Sequence, residues 1–261
     1  MDWGDGWDDS FSGYTGVYAV YHGILGHTIE IPEGNEESYK AGRNAVLGGI
    51  DFLNQDPDKL LEMRLNFYLR GLNKTEDPKA ENELVGPNGE IVGRVKNGRP
   101  KFFPDYYVIP MSLDKDNDAQ EAFNMIDYFK RNGVLVKELK EDIGNYKKGD
   151  LVIDMAQAKR GYANHILYKG SNESAWAAMY AELLVNFPDM RGFKSEPVFA
   201  DGLFNGKLGE VTTTRATRTS EIDPKAPYYV IANTSASAVK AVNQAIAQGK
   251  SVSLTDDGYI V

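Results

Sequence analysis

The tetrapeptide Tyr-Tyr-Val-Ile occurs twice, at 106–109 and at 228–231, and each copy opens the same succession of strand, glycine-stopped helix and strand. After the first copy, residues 117–132 place Ala119, Phe123, Ile126 and Phe129 on one side of a helix, and Gly133 closes it. "VLVKEL" and "GDLVIDMA" then read as strands. After the second copy, Val239, Val242 and Ile246 share one helix side, Gly249 is the stop, and "SVSLT" and "DDGYIV" give a strand, a turn and a fresh strand. Strands that are apolar throughout must be buried on both faces, the usual condition in a parallel sheet covered by crossover helices. The repeat is either an internal duplication or two ordinary βαβ units of one parallel sheet. The second reading is the simpler, and it predicts an α/β fold with a βαβ-type parallel sheet over residues 105–261.

The first hundred residues read differently. Residues 14–25 ("YTGVYAVYHGIL") suit a short buried helix or turn, and "HTIEIP" a strand that Pro32 ends. A helix follows from Glu36 to about Asn54, with Val46, Ile50 and Leu53 on one side. A second begins at Asp56 as N-cap with Pro57 in the first turn, and has Gly71 near its end. Residues 73–104 are polar, and their "GPNGE" and "VKNGRP" turns mark a linker or β excursion. The expected division is therefore 1–72, a 73–104 linker, and 105–261. Aromatic and acidic residues crowd the start as they would in a loop, and the last residues fall within a rising strand pattern, so a piece of a longer protein is expected.

Composition narrows the chemistry. With 261 residues and 42% hydrophobic content the chain can build real cores, and a net charge of −9 repels phosphate backbones, which argues against nucleic acid as a partner. The absence of Cys removes disulfides, thiolate metal sites and any cysteine nucleophile. No apolar run reaches the ~18 residues of a membrane helix. No P-loop, G-x-S-x-G or dinucleotide-binding glycine motif occurs. Asp114, Asp116 and Asp118 have calcium-loop spacing, but Ala119 and Met125 stand where an EF-hand needs Gly and Glu, so the acids suit a helix N-terminus instead. Asp2, Asp5, Asp8 and Asp9 read as a solvated loop.

His27-Thr28-Ile29-Glu30 spells H-x-x-E, the form of a zinc pair. On a strand, residues three apart point to opposite faces, so His27 and Glu30 could not share an ion, and His27 is read as a strand histidine. Glu30, between Ile29 and Ile31 on an expected internal strand, would need an ion-pair partner or a shifted pKa. It is either a salt-bridged structural residue or a catalytic carboxylate.

"SGYTGVYAVYHGI", "GHTIEIP" and the long helix after it resemble the last catalytic segment of the zinc carboxypeptidases, the carboxypeptidase A/T-like metallopeptidases. The resemblance implies that Glu30 is the general base and acid, taking a proton from zinc-bound water and handing it to the leaving amine. It further implies a tyrosine that closes over the substrate: Tyr14, with Tyr18 and Tyr21 as rivals that are better explained by packing. "YYVIPM" with its helix and "GDLVIDMAQAKRGYANHILY" resemble the C-terminal extension of long bacterial members, similar to class I glutamine amidotransferases in fold; amidotransferase chemistry itself needs the cysteine this chain lacks. Within the extension, Lys159, Arg160, Asn164 and His165 could form a binding site, though a solvated helix start explains them more simply. The family's zinc loop and third histidine should lie far upstream of Glu30, where only 29 residues stand. The implied protein is a bacterial secreted or surface carboxypeptidase acting on a peptide or peptidoglycan-like substrate. Its Zn²⁺ and upstream catalytic segment would lie outside this chain, and the chain alone is expected to be inactive. The contrasting expectation is a non-catalytic α/β binding or scaffolding module.

Overall fold

The computed structural model describes residues 12–76, 101–111, 119–168, 187–212 and 223–261. The chain is a mixed α/β structure of two compact units. Among the described residues the first unit holds 12–76 and Ala156–Tyr162, and the second holds the remainder. The expected linker falls mainly on 77–100, which lies outside the described residues, as do the Asp2–Asp9 and Asp114–Asp118 clusters.

The first unit is helical: α1 (Thr15–Tyr21), α2 (Glu36–Gln55) and α3 (Pro57–Leu72). Local chemistry sets the two long helices. The Asn35 side chain accepts from the Ser38 amide at 2.9 Å, and Glu36 and Glu37 follow in the positively polarised first turn. Asp56 accepts from the Lys59 amide at 3.0 Å, Pro57 takes the first turn where its missing N–H costs nothing, and Arg70 sits in the last turn. Burial contributes little: within 12–76 only Gly71 is buried. Residues 14–25 thus form the expected short helix, but not a buried one.

The second unit carries every strand among the described residues, in two sheets. The first contains β1 (Tyr106–Ile109), β2 (Lys137–Leu139), β3 (Leu151–Asp154), β4 (Glu196–Val198) and β5 (Leu208–Gly209), in the order β4-β1-β3-β2-β5. The second contains β6 (Val230–Ile231), β7 (Ser253–Thr255) and β8 (Gly258–Ile260), in the order β6-β8-β7. The remaining helices are α4 (Ala119–Arg131), α5 (Arg160–Leu167), whose first three residues belong to the first unit, α6 (Phe187–Arg191) and α7 (Ala236–Ala247). None of the helices among the described residues is long and apolar enough to cross a membrane.

Every strand pairing among the described residues is antiparallel, which corrects the parallel sheet expected from the βαβ patterns. The physical reason is an inserted strand. β1 and β2, joined through α4, do run in the same direction, but β3 lies between them and opposes both (Ile109 faces Leu151, Lys137 faces Val152). β6, α7 and β7 repeat the arrangement with β8 inserted between (Ile231 faces Tyr259, Leu254 faces Tyr259). The two Tyr-Tyr-Val-Ile copies therefore open the same β-α-β-β motif, in separate sheets.

The main core forms around β1, all four residues of which are buried. Tyr106, Val108, Leu139, Val152, Val198 and Phe204 cluster together, with the Phe204 ring edge-on to Tyr106 at 4.9 Å. From α4, Phe123, Ile126 and Phe129 are buried at the spacing the sequence predicts. Burying each such side chain contributes ~1.5–3 kcal/mol. Gly133 adopts φ 73°, a left-handed stop that a side chain would strain, and Gly249 does the same after α7 at φ 76°.

Candidate functional site

Glu30 does not lie on a strand. Residues 25–32 belong to no helix or sheet, and among the described residues the nearest strand in sequence begins at Tyr106. An apolar, β-branched run becomes a strand only when a neighbour supplies ladder partners, and none of the described residues does so here. The expected internal position is thus corrected: Glu30 is exposed, as are Ile29 and Ile31 at its sides. No hydrogen bond or ion pair holds its carboxylate among the described residues, so the salt-bridged structural role has no support there.

The chain before Glu30 is tightly folded back. The Ile24 amide donates to the Ala19 carbonyl at 3.0 Å and the Gly23 amide to the Val20 carbonyl at 3.0 Å. The Tyr68 hydroxyl, from α3, donates to the His22 carbonyl at 2.8 Å. His22 Nδ1 donates to the Tyr18 carbonyl at 2.9 Å, while its Nε2 is buried with no hydrogen-bond partner among the described residues. Burial pushes the His22 pKa below the ordinary histidine value, outweighing the hydrogen bond to the Tyr18 carbonyl, which raises it.

The three tyrosines separate by position. Tyr18 and Tyr21 both approach the Tyr162 ring, at 6.0 and 5.9 Å, and Tyr18 lies 4.3 Å from the His22 ring. Tyr14 stands at the N-cap of α1 in extended backbone, and its side chain makes no capping bond. Two glycines bring α1 against the Glu30 segment. A Cβ on Gly26 would overlap the Gly16 carbonyl oxygen and lie 2.9 Å from Ala19 Cβ, and one on Gly16 would lie 3.2 Å from the His27 backbone.

Beside this turn is a hollow of about 830 Å³. Its walls are largely apolar, including Val20, Leu25, Phe52, Leu53 and Met63, and among the described residues its ionisable groups are His27, Arg64 and Arg70, with no carboxylate. The H-x-x-E pair divides here: His27 lines the hollow, whereas Glu30 does not. Among the described residues no three His, Asp or Glu side chains gather closely enough to hold a metal ion, so these residues do not fit the zinc that the resemblance implies.

The residues singled out near α5 have structural partners. Gly71 lacks the Cβ that would collide with the Gln157 carbonyl oxygen, so α3 approaches this segment closely. Arg160 pairs with Glu76 at 2.5 Å and donates to the Thr75 carbonyl at 3.1 Å. Lys159 lies over the Tyr68 ring at 5.0 Å. Asn164 accepts from the buried Tyr107 hydroxyl at 2.9 Å. His165 is buried, and burial lowers its pKa to about 4. The solvated helix start expected here is therefore wrong, because Arg160, Asn164 and His165 are all buried.

The sequence reading missed the hollow and the Gly16–Gly26 contact. Only the two glycines themselves, spaced around an apolar turn, hinted at a close backbone approach. Comparison of the chain with protein-family models, curated proteins and solved structures finds no match.

Proposed function

We propose that this chain is the C-terminal part of a zinc metallocarboxypeptidase that removes C-terminal residues from a peptide or peptidoglycan-like substrate, with Glu30 as its general base and acid. The observation that carries the proposal is the state of Glu30: a carboxylate between two isoleucines, exposed and held by no ion pair among the described residues. A carboxylate left unengaged can accept a proton from an attacking water and return it to the departing amine. The described residues offer no set of zinc ligands, so the metal belongs, on this reading, to an upstream segment of a secreted or surface protein. The chain alone then neither holds catalytic zinc nor cleaves peptides. The α/β region 105–261 is assigned no chemistry of its own.

The test is Glu30→Gln in the full-length protein. The isosteric amide keeps the fold but cannot carry the proton, so kcat should fall by ~10²–10⁴-fold with KM little changed. Near-normal turnover would end the catalytic assignment. The second reading, a non-catalytic binding module, draws on the carboxylate-free hollow and expects Glu30→Gln to change nothing but local stability.

A further inference from the structure

We infer that Gly16 and Gly26 are positioning residues, whose bare backbones interlock so that the start of α1, with Tyr14, is held in register with the segment that carries Glu30. The inference rests on the carboxypeptidase reading. Each glycine faces backbone across the contact. A Cβ on Gly26 would overlap the Gly16 carbonyl oxygen and come within 2.8 Å of its carbon, while one on Gly16 would lie 3.2 Å from both His27 N and C and 3.3 Å from Cα. By contrast, a Cβ on Gly34, Gly48 or Gly49 would meet nothing within 4 Å, so glycine here is not a general habit of the unit.

The contact sits at a useful place on the chain. Tyr14 is two residues before Gly16, and Glu30 is four after Gly26. A chain spans at most ~3.6 Å per residue, so the two backbones lie within roughly 7 and 14 Å of the contact. The turn between them is pinned by the 3.0 Å bond from the Ile24 amide to the Ala19 carbonyl and by Tyr68 on the His22 carbonyl. A shift of the backbone at Gly16 is therefore passed to His27, three residues before Glu30.

The test compares Gly16→Ala, Gly26→Ala, Tyr14→Phe and Glu30→Gln in the full-length protein, by kcat, KM and melting temperature. Gly26→Ala forces a backbone overlap and is expected to unfold the segment; Gly16→Ala needs a shift of only tenths of an ångström and is the informative variant. It should lower kcat by about 10- to 100-fold, the scale of a small misplacement of a reacting group, with KM within about threefold. In the Tyr14→Phe background it should add little further loss, because the two changes act through one group. A merely structural glycine would instead lower activity only in proportion to the folded fraction, and equally in both backgrounds; that result overturns the inference. Wild-type kcat for Gly16→Ala beside an inactive Glu30→Gln overturns the positioning role alone, whereas an active Glu30→Gln overturns the catalytic reading and the positioning role with it.

Discussion

The two Tyr-Tyr-Val-Ile copies have the same residues, the same order of elements and the same inserted strand, yet opposite environments. β1 is buried at every residue, and its Tyr107 is 1% exposed; in the second copy Tyr229 is 38% and Val230 52% exposed. The first motif is flanked by β4 on one side and β5 on the other, which the second motif lacks among the described residues. Its helix α4 buries a run of large side chains, whereas α7 buries only Ala238 and Val242. Identical sequence at the strand thus settles topology, while the neighbours decide how much energy the strand stores.

Matched substitutions can break this comparison. Tyr107→Ala removes a buried ring and its bond to Asn164, so it should cost ~3–5 kcal/mol in urea unfolding. Tyr229→Ala removes a half-exposed ring whose hydroxyl donates to the Asp223 carbonyl, and should cost about 1 kcal/mol or less. Equal losses would show that the second copy is as deeply built as the first.

Acid should act beside the first copy, through α5, whose Asn164 accepts from Tyr107 of β1. Burial lowers the His165 pKa to about 4, below the ~6.5 of an unfolded histidine, so the folded protein prefers the neutral ring. The stabilisation is complete above about pH 6.5 and is lost as pH falls through 6.5 towards 4, a loss of roughly 3 kcal/mol. A stability–pH curve on the wild type and on His165→Asn checks this. Persistence of the full acid limb in the variant would assign the loss to other groups.

One further effect should be shared by the two copies. Gly133 and Gly249 hold φ 73° and 76° at equivalent helix stops, and alanine there costs ~1–2 kcal/mol whatever the burial of the helix. Closely similar losses for Gly133→Ala and Gly249→Ala would mark the cap as a local device. A large difference would mean that the cap, too, depends on the core around it.

These examples also show what was legible. Helix ends are local: Asp56, Pro57, Gly133 and Gly249 act within a turn, and each stands where the sequence places it. Strand order is not local. The same direction of β1 and β2 could be read from their connection through α4, but the arrival of β3 between them could not. For β8 in the second copy a signal was present: Thr255 and Gly258 face each other across Asp256-Asp257, a two-residue turn that only an antiparallel hairpin uses. Glu30 was misplaced for a related reason. Ile29 and Ile31 have strand chemistry, but a strand also needs a partner, and alternation says nothing about whether one is within reach.

The inserted strand has a consequence for synthesis on the ribosome. β1 emerges first, and in the finished protein its ladder partners are β3 and β4, both far downstream. Tyr106–Ile109 must therefore wait, apolar and unpaired, while α4 and β2 are made. Until Leu151–Asp154 leaves the exit tunnel the nascent motif has two edges and no centre, and that interval is when a chaperone would have most to shield.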